Sequence, residues 1–401
     1  MYCRKASGDA RGNDVTPKEN SKYSFVVEWF DSVAQIVKKF LMTFYPSDHT
    51  VELYDLTQQR IFLRRCKQEG IELENLYKSA VVTIMSRQMK VVDYADSQTK
   101  HKFEVELSQT FCMVKPDVAS RVGEIITFMQ EHGFKIIKMK MGKMSKECAT
   151  DFYKEHKGQT FLPGLITFMS SGPSIAMSAI GENAVKRWRD FIGPMDSEAA
   201  KRDAPHTLRA IYGTDITKNG VHGSKDKDNV VWETEVWFPK AAQQGGNMEY
   251  ILPTCLLKNT TCCIVKPHAV LEGTLGPIIN FINEKAFRIT AMEMFNLDVS
   301  TAEEFLEVYK GVVPEYSAMV VQLTSGPCVA LEVMDINDPE CSQANFRKLA
   351  GPTDPEIARK LRPDTIRAKF GKDKVLNAVH CTDLPDDSTL EVEYFFKVLQ
   401  V

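Results

Sequence analysis

The sequence lacks the long apolar run that a membrane-spanning helix requires. No uninterrupted apolar stretch in its 401 residues approaches the roughly 18 residues needed to cross a bilayer. The first 21 residues are polar and do not contain the apolar segment of a secretion signal. These absences argue against a membrane protein and predict a protein of the cytoplasm or cytoskeleton.

Paired cysteine spacing is also missing. The chain has ten cysteines, but no two of them form a C-x-x-C pair, so the sequence predicts neither a zinc site nor a disulfide framework. Several lie inside apolar runs, as Cys112, Cys262 and Cys328 do. We therefore expect buried free thiols that pack as small hydrophobic side chains.

Charge of one sign is not in excess. The 50 basic and 53 acidic residues give a formal net charge of -3. A nucleic-acid-binding surface needs a basic patch, usually with interleaved aromatic residues, so nucleic acid is not an expected partner. The G-x-x-x-x-G-K-[ST] pattern is absent too, which excludes a P-loop nucleotide site.

What the sequence does contain is a duplicated pattern. Lys115-Pro returns as Lys266-Pro, a Ser-Gly-Pro triplet at 171 returns at 325, and Asn-x-x-His222 returns as Asn-x-x-His380. The offsets between the copies are 151, 154 and 158 residues. Because they drift by only a few residues, the pattern indicates two homologous modules with small loop insertions.

The apolar periodicity predicts the order of elements within a module. In the first copy it indicates strands at 111–114, 134–141 and 174–180, and helices that begin near 123, 145 and 184. This order predicts a ferredoxin-like split βαβ sandwich with helices covering one face of an antiparallel sheet. The alternating run 135–143 predicts that its four lysines form a solvated face.

The predicted domain organisation has five parts. A flexible tail (1–21) is followed by a β-rich domain (22–107), a first module that we name module A (109–240), a linker (241–257) and a second module, module B (258–398). The β-rich domain is predicted from alternating runs with a turn at 46–50. The linker is predicted from its Gln-Gln-Gly-Gly-Asn composition and Pro253.

The two matched histidines are candidate nucleophiles. A neutral imidazole has a lone pair on one ring nitrogen while the other can be held by an acceptor, and it can form a covalent intermediate. Glu233 lies 11 residues after His222, and Glu391 lies 11 residues after His380. A lone histidine is usually structural, but recurrence in register with a carboxylate favours a duplicated site.

Three cationic positions also recur. Guanidinium and ammonium groups suit the non-bridging oxygens of phosphates and stabilise the charge that develops there during transfer. Any one of these residues alone would more often be an ordinary surface cation, but together with a nucleophile they predict phosphate chemistry. They are Lys115, Arg189 and Arg209 in module A, and Lys266, Arg347 and Arg367 in module B.

These motifs resemble the nucleoside diphosphate kinase family, whose marks include Lys-Pro-Asp after the first strand, Ser-Gly-Pro, and Asn-x-x-His-Gly-Ser around a phosphorylated histidine. The match covers about 109–240 and 258–397. The segment that begins at Phe44-Tyr-Pro-Ser-Asp-His resembles a DM-ten domain, a pleckstrin-like β fold. The resemblance implies an α+β protein, closest to the two-module members of the family, with two tandem ferredoxin-like modules after a DM-ten domain.

The resemblance implies a ping-pong reaction between NTP and NDP through a phosphohistidine. Mg²⁺ would bridge the nucleotide phosphates, with no metal ligand among the protein residues. The implied catalytic residues are His222 and Glu233 in module A and His380 and Glu391 in module B. The implied nucleotide-binding residues are Lys115, Tyr153, Phe161, Arg189, Arg209, Ile216, Asn219 and Ser224 in module A, and Lys266, Tyr309, Arg347, Thr353, Arg367 and Asn377 in module B.

Both modules depart from the family pattern, and these departures predict which module is the more active. Phe161 and Ile216 would sandwich the base in module A, whereas module B has a shortened segment around 312–317 where the stacking phenylalanine is expected. We therefore predict that module A is the more active module. The departures are Val118 and Met195 in module A, and His268, Lys374, Cys381 and Thr382 in module B.

A structural role is the alternative hypothesis. Proteins similar to this one, with a DM-ten segment, are associated with cilia, axonemal microtubules and centrosomes. The resemblance therefore implies tubulin and other ciliary proteins as partners, and an axonemal or centrosomal location. In this reading the kinase folds serve as binding platforms with weak or no catalysis. Two linked modules could also form a dimer-like contact within one chain.

Overall fold

The structure is a computed structural model that describes residues 22–31, 34–68, 70–103, 107–239 and 250–400. The predicted tail (1–21) and most of the predicted linker lie outside the described residues. The chain divides into two compact units, Met1–Lys102 and Phe103–Val401. Both modules therefore belong to the second unit.

The first unit is an antiparallel sheet in the strand order β4-β3-β2-β1-β6-β5. Alternate residues such as Phe25 and Val27 in one strand, and Phe40 and Met42 in the next, are fully buried on one face. The predicted β-rich fold is confirmed, although the last two strands and the helix were not predicted. The elements are β1 Tyr23–Asp31, β2 Ile36–Tyr45, β3 Thr50–Asp55, β4 Arg60–Lys67, β5 Val81–Ile84, β6 Arg87–Tyr94 and α1 Ser97–Phe103.

Module A contains the strands and helices that the periodicity predicted, together with four further helices. Ser145 caps the helix that follows it by accepting a hydrogen bond from the Cys148 amide. The elements are β7 Leu107–Val114, α2 Val122–Glu131, β8 Lys135–Met144, α3 Lys146–Phe152, α4 Leu162–Met169, β9 Ser174–Glu182, α5 Ala184–Ile192, α6 Ser197–Asp203, α7 Leu208–Tyr212, β10 Val221–Gly223 and α8 Lys227–Trp237.

Module B repeats this order after a short strand from the linker region. Its elements are β11 Ile251–Leu252, β12 Thr261–Val265, α9 Pro267–Leu271, α10 Leu275–Glu284, β13 Phe287–Phe295, α11 Val299–Phe305, α12 Tyr316–Leu323, β14 Cys328–Asp335, α13 Ser342–Ala350, α14 Pro355–Leu361, α15 Ile366–Phe370, β15 Val379–Cys381 and α16 Asp387–Phe396. Short 3-10 turns join several of these elements.

One continuous sheet runs through both modules in the order β10-β7-β9-β8-β13-β14-β12-β15. The two modules meet where β8 pairs with β13, with Lys140 opposite Glu293, and the equivalent strands follow in the same order outward from this junction. Helices α2 and α10 cross beside this junction. A Cβ atom added to Gly276 would lie 2.6 Å from the carbonyl oxygen of Gly123, so the two backbones approach too closely for a side chain there. The modules thus form a dimer-like contact within the chain.

Helices cover both faces of the module A sheet, and the prediction of helices on one face is wrong. Cys112 and Val114 in β7 pack in the core that includes α2 and α5, whereas Phe111 and Met113 pack with α3, α4 and α8. The first eight residues of β9 are all buried. Strands that are buried on both faces read as continuous apolar runs and not as alternating ones.

Lys140 is half-buried and contacts module B, contrary to the prediction that the lysines of 135–143 form a solvated face. Its Nζ donates to Oε1 of Gln400 at 2.9 Å and lies 3.4 Å from Oε1 of Glu293. Burial raises the pKa of Glu293, while the contact with Lys140 opposes that rise. The prediction failed for Lys140 because β13 of module B pairs with β8, and the sequence of module A alone does not predict this pairing.

The cysteines and helices of the described residues agree with the sequence in two respects. Every cysteine in the described part of the chain is a free thiol, and six of these nine are buried. Within the same residues, no helix combines the length and apolarity needed to span a bilayer.

Candidate active site

His222 lies in β10, opposite Met113 of β7. Its Nε2 is 2.9 Å from Oε1 of Glu233, which α8 carries. A carboxylate can only accept, so Nε2 carries the proton and the lone pair of the neutral ring is on Nδ1. The hydroxyl of Ser224 donates to the second oxygen of Glu233. The predicted histidine and carboxylate are therefore in contact, and Nδ1 is the ring nitrogen left free to act as a nucleophile.

Aromatic side chains hold the imidazole of His222 in place. The ring centroids of Phe152 and Tyr153 lie 5.3 and 6.0 Å from that of His222, both in edge-on contact. Glu233, on the other side, is only 3% exposed. Because the ring is packed by aromatic groups and held at Nε2, it is preorganised to present Nδ1.

Trp188 of α5 supports the site, and the sequence did not identify it. Its indole Nε1 donates to the carbonyl oxygen of His222 at 3.1 Å. A Cβ atom added to Gly223 would lie 2.4 Å from Cδ1 of Trp188, so this tryptophan requires the glycine after the histidine. Module B has Phe346 and Cys381 at the matching positions. The smaller aromatic ring accounts for the loss of the glycine there.

Lys115 follows β7 directly and is 3% exposed. Its Nζ donates to the carbonyl oxygen of Thr217 at 3.2 Å. Burial, and then the charge of Arg209, lower the pKa of Lys115 to about 7. An ammonium has three N–H donors, so further donors remain for an anion.

Arg209 of α7 is fixed against the backbone behind His222. Its Nη1 donates to the carbonyl oxygen of Gly193 at 2.9 Å, and Nε and Nη2 donate to that of Val221 at 3.3 and 3.2 Å. Gly193 has φ +79°, and a Cβ atom there would clash with Thr207. The guanidinium plane is therefore held in one orientation, and burial lowers the pKa of Arg209 to about 10.

Two further candidate residues flank this cluster. Arg189 on α5 is exposed and donates from Nη1 to the carbonyl oxygen of Lys225 at 3.2 Å. Tyr153 is 4% exposed, and its hydroxyl has no hydrogen-bond partner among the described residues. Burial raises the pKa of Tyr153, so the hydroxyl stays protonated. A buried hydroxyl without a partner is a natural donor for a ligand oxygen.

Asn219 is 1% exposed and is held by the loop before β10. Its Nδ2 donates to the carbonyl oxygens of Met195 and Ile216 at 2.8 and 3.2 Å. Its Oδ1 has no partner within the described part of the chain and is available to a hydroxyl. Only the backbone of Met195 takes part, so replacement of the family threonine by methionine leaves this contact intact.

The predicted base-stacking residues lie at the surface. Phe161 immediately precedes α4 and is half-buried, with its ring centroid 5.5 Å from that of His156. Ile216 is 37% exposed. A sandwich of the base between Phe161 and Ile216 stays a prediction.

Module B repeats the nucleophile geometry. His380 Nε2 is 2.9 Å from Oε2 of Glu391, and the Thr382 hydroxyl donates to the same oxygen at 2.8 Å. Thr382 therefore makes the contact that Ser224 makes in module A. Lys266 Nζ donates to the carbonyl oxygen of Val375 at 3.0 Å, and burial lowers its pKa to about 7.

Arg367 and Asn377 also reproduce their counterparts. Arg367 donates from Nη1 to the Gly351 carbonyl oxygen at 2.8 Å, and from Nε and Nη2 to that of Val379. Asn377 Nδ2 donates to the carbonyl oxygens of Thr353 and Lys374 at 3.1 and 3.0 Å. The cation and amide positions of the two modules are thus equivalent.

Asp383 distinguishes module B at the phosphate-facing side. Its Oδ2 accepts a hydrogen bond from the Tyr309 hydroxyl at 2.6 Å, and its carboxylate also pairs with Arg347. Burial favours a higher pKa for Asp383, but Tyr309 and Arg347 hold the pKa below its usual value. Lys225 occupies this position in module A. Asp383 therefore occupies two donors that are not bound to a carboxylate in the corresponding contacts of module A.

The segment expected to hold the base also differs. Leu162 at the start of α4 is nine positions after Tyr153, whereas Tyr316 at the start of α12 is seven positions after Tyr309. The residue that precedes α12 is Glu315, where module A has Phe161. Module B therefore lacks the aromatic ring at this position.

No cluster of three or more histidine, cysteine, aspartate or glutamate side chains that could hold a metal ion occurs among the described residues. The Glu233 carboxylate beside His222 is hydrogen-bonded to the Ser224 hydroxyl and to the imidazole. The expectation that Mg²⁺ arrives bound to nucleotide phosphates stays a prediction.

Comparison with known proteins identifies relatives of both modules. A sequence profile described as "Nucleoside diphosphate kinase" matches residues 108–242 and 259–401. "Nucleoside diphosphate kinase homolog 7" of Rattus norvegicus and that of Mus musculus are each 43% identical over 386 residues, which is 96% of this chain and 95% of the relative. "Probable nucleoside diphosphate kinase 5" of Arabidopsis thaliana is 43% identical over 128 residues, which is 31% of this chain and 89% of the relative.

Proposed function

The chain belongs to the nucleoside diphosphate kinase family, and from this premise we propose that it transfers the γ-phosphate of an NTP to an NDP through a phosphohistidine. The observation that carries the proposal is the contact between His222 Nε2 and Glu233, with Lys115 and Arg209 in the same cluster. This arrangement combines an oriented nucleophile with two cations, of which Lys115 is buried.

In the proposed first half-reaction, the Nδ1 lone pair of His222 attacks the γ-phosphorus. The bond from that phosphorus to the oxygen bridging the β- and γ-phosphates breaks, and NDP leaves with the electron pair. The Nε2 proton stays hydrogen-bonded to Glu233, whose negative charge offsets the positive charge on the ring. In the second half-reaction a terminal oxygen of another NDP attacks the phosphohistidine and regenerates His222.

The remaining residues bind and orient the nucleotide in this proposal. Lys115 and Arg209 stabilise the charge on the transferred phosphate, because Lys115 is buried, Arg209 is half-buried and both have further N–H donors. The unpartnered hydroxyl of Tyr153 donates to a phosphate oxygen. Asn219 Oδ1 accepts from a sugar hydroxyl. Mg²⁺ enters as part of the nucleotide substrate and neutralises phosphate charge.

We propose that module A performs most of this reaction. Its Tyr153 hydroxyl and Arg189 are not engaged by a carboxylate, whereas Asp383 holds the corresponding donors Tyr309 and Arg347. Module B also has no aromatic ring at the position of Phe161. Because its nucleophile geometry is the same, module B is proposed to bind nucleotide weakly rather than to lack the chemistry.

Incubation of the full chain with γ-labelled ATP tests the proposed function. A phosphohistidine should give a protein-bound label that is lost in acid and retained in base, and added NDP should remove it as NTP. A label that survives acid would indicate a phosphoester and would contradict the proposal. The absence of any label at saturating ATP would contradict it as well.

Nucleotide affinity should fall as pH rises above neutrality. The pKa of Lys115 is about 7 in the empty site, and bound phosphates raise it, so binding takes up a proton above pH 7. We expect ADP to bind at least about tenfold more weakly at pH 9.0 than at pH 7.5, since one proton can give a factor of about ten per pH unit. Calorimetric titration in buffers of different ionisation enthalpy measures both the affinity and the proton uptake.

The matched variant for this measurement is Lys115→Arg. An arginine stays charged across this range, so its ADP affinity should change by less than about threefold over the same pH interval. An equal pH dependence in the parent chain and in Lys115→Arg would show that another group takes up the proton.

We also propose a second role in which the first unit binds an acidic partner, with tubulin the partner that the family resemblance implies. The supporting observation is the edge strand β4, in which Arg60, Arg64, Arg65 and Lys67 are all exposed. An edge strand with a row of cations suits an acidic surface. A ciliary or centrosomal location would follow from such binding.

Cosedimentation of the full chain with microtubules at low salt tests this role. We expect the Arg60→Glu, Arg64→Glu double variant to reduce the bound fraction at least about fivefold, whereas Lys186→Glu in module A should leave it unchanged. Binding that is equally strong in the double variant would exclude β4 as the contact.

A further inference from the structure

His268 in α9 lies between α12 and the residues that precede β15. It is 8% exposed. Its Nε2 is 3.3 Å from the backbone nitrogen of Ala378, which donates to it, and its Nδ1 is 3.0 Å from the side-chain amide of Gln322. His268 therefore connects α9 and α12 to the residue two positions before His380.

The contact with Ala378 determines the tautomer of His268. A backbone N–H can only donate, so Nε2 has no proton and Nδ1 carries it. The atom of Gln322 placed 3.0 Å from Nδ1 is the amide nitrogen Nε2, but an N–H cannot accept from an N–H, so we assign this amide with its oxygen and nitrogen exchanged and Oε1 toward Nδ1. Burial lowers the pKa of His268 to about 4, which agrees with a neutral ring.

Module A makes the same backbone contact with a different side chain. Asp117 Oδ2 accepts a hydrogen bond from the amide of Gly220 at 3.1 Å, and Gly220 is two residues before His222. Gly220 has φ +77°, and Ala378 has φ +69°. A left-handed backbone suits glycine, but it is strained for alanine, so Ala378 needs a partner that holds it there.

We propose that His268, oriented by Gln322, is the positioning residue that holds Ala378 in its left-handed conformation and thereby sets the orientation of His380. The imidazole and the amide together replace the single carboxylate of Asp117. Ala378 also holds Lys266, because its carbonyl oxygen accepts a hydrogen bond from the Lys266 amide at 2.9 Å. Loss of the His268 contact therefore displaces the nucleophile and one cation together.

The inference rests on the proposed function only for its catalytic consequence. The tautomer and the backbone conformation are properties of the empty protein, and they can be measured whether or not module B transfers phosphate. The test therefore has a spectroscopic arm and a labelling arm.

The spectroscopic arm uses the full chain with ¹⁵N-labelled histidine. Two-bond ¹H–¹⁵N spectra at neutral pH should show His268 as the tautomer protonated at Nδ1. Gln322→Leu should change the His268 signals, and His268→Ala should shift the ring signals of His380 while leaving those of His222 unchanged. A His268 protonated at Nε2, or His380 signals unaffected by His268→Ala, would overturn the proposal.

The labelling arm is carried out in His222→Ala, so that label from γ-labelled ATP reports on His380 alone. His268→Ala should lower the labelling rate at least tenfold, and His268→Asp, which restores the acceptor of module A, should return it to within threefold. Equal rates in all three proteins would overturn the positioning role. If His380 is not labelled even with His268 intact, that result counts against phosphate transfer by module B, and the spectra alone decide the present inference.

Discussion

Replacing His222 with alanine should reduce phosphate exchange between ATP and an NDP at least about tenfold and leave only the slower exchange of module B, because alanine has no lone pair to attack the γ-phosphorus. Replacing His380 with alanine should change the rate by less than about threefold. This difference is expected because the nucleophile geometry is the same in both modules, whereas Asp383 engages Tyr309 and Arg347 in module B only.

The measurement is the steady-state exchange rate of the full chain at saturating ATP, together with the acid-labile label on each variant. His206→Ala is the matched control, since His206 is an exposed module A histidine outside the site. It should retain full activity. A reversed result, with activity lost in His380→Ala and kept in His222→Ala, would assign the reaction to module B.

Loss of one buried carboxylate should strongly destabilise module B. Glu332 in β14 is fully buried and accepts hydrogen bonds from the amides of Leu256 and Leu257 at 2.8 and 2.7 Å. It also accepts from the hydroxyls of Thr260 and Thr290, both of which are buried. The side chain thus ties the end of the linker region to the sheet.

Glu332→Ala should lower the free energy of unfolding by about 3–5 kcal/mol, because each buried donor that loses its acceptor costs about 1–3 kcal/mol and some donors regain a partner in water. Glu332→Gln should cost less, since it keeps one acceptor oxygen. Urea unfolding of the full chain, followed by circular dichroism, measures the change.

Glu340→Ala is the control for this experiment, because Glu340 is an exposed acidic residue in the same module. Its effect should stay within about 0.5 kcal/mol. A loss below about 1 kcal/mol for Glu332→Ala would show that the linker region does not depend on this carboxylate.

Much of the module fold was predictable from local patterns. Short apolar runs predicted β7 and β9, and Gly133, with φ +75°, lies two residues after the end of α2, where a glycine commonly terminates a helix. The ferredoxin-like order followed from these elements, and the family comparison agrees with it. Helices α4, α6 and α7 were missed because they are short, and short helices are stabilised by packing more than by their own sequence.

Site residues were predictable from the sequence when they recur at the same spacing in both modules. Residues that support the site only through tertiary contacts were not predictable. The spacing of Glu233 from His222 indicated the pair, because the spacing returns in module B. Trp188 left no such signal, since an aromatic residue on an amphipathic helix is indistinguishable from ordinary core packing. Only the packing of α5 against β10 shows that its indole donates to the His222 carbonyl oxygen.

The sequence by itself determined the family, the duplication and the two matched pairs of histidine and glutamate, because these depend on residue types and on spacings along one chain. Tertiary structure decided the rest. It joined β8 of module A to β13 of module B, and so placed Lys140 beside Glu293. It also brought Asp383 to Tyr309. Contacts between residues distant in sequence depend on how the elements pack, and no local pattern encodes them.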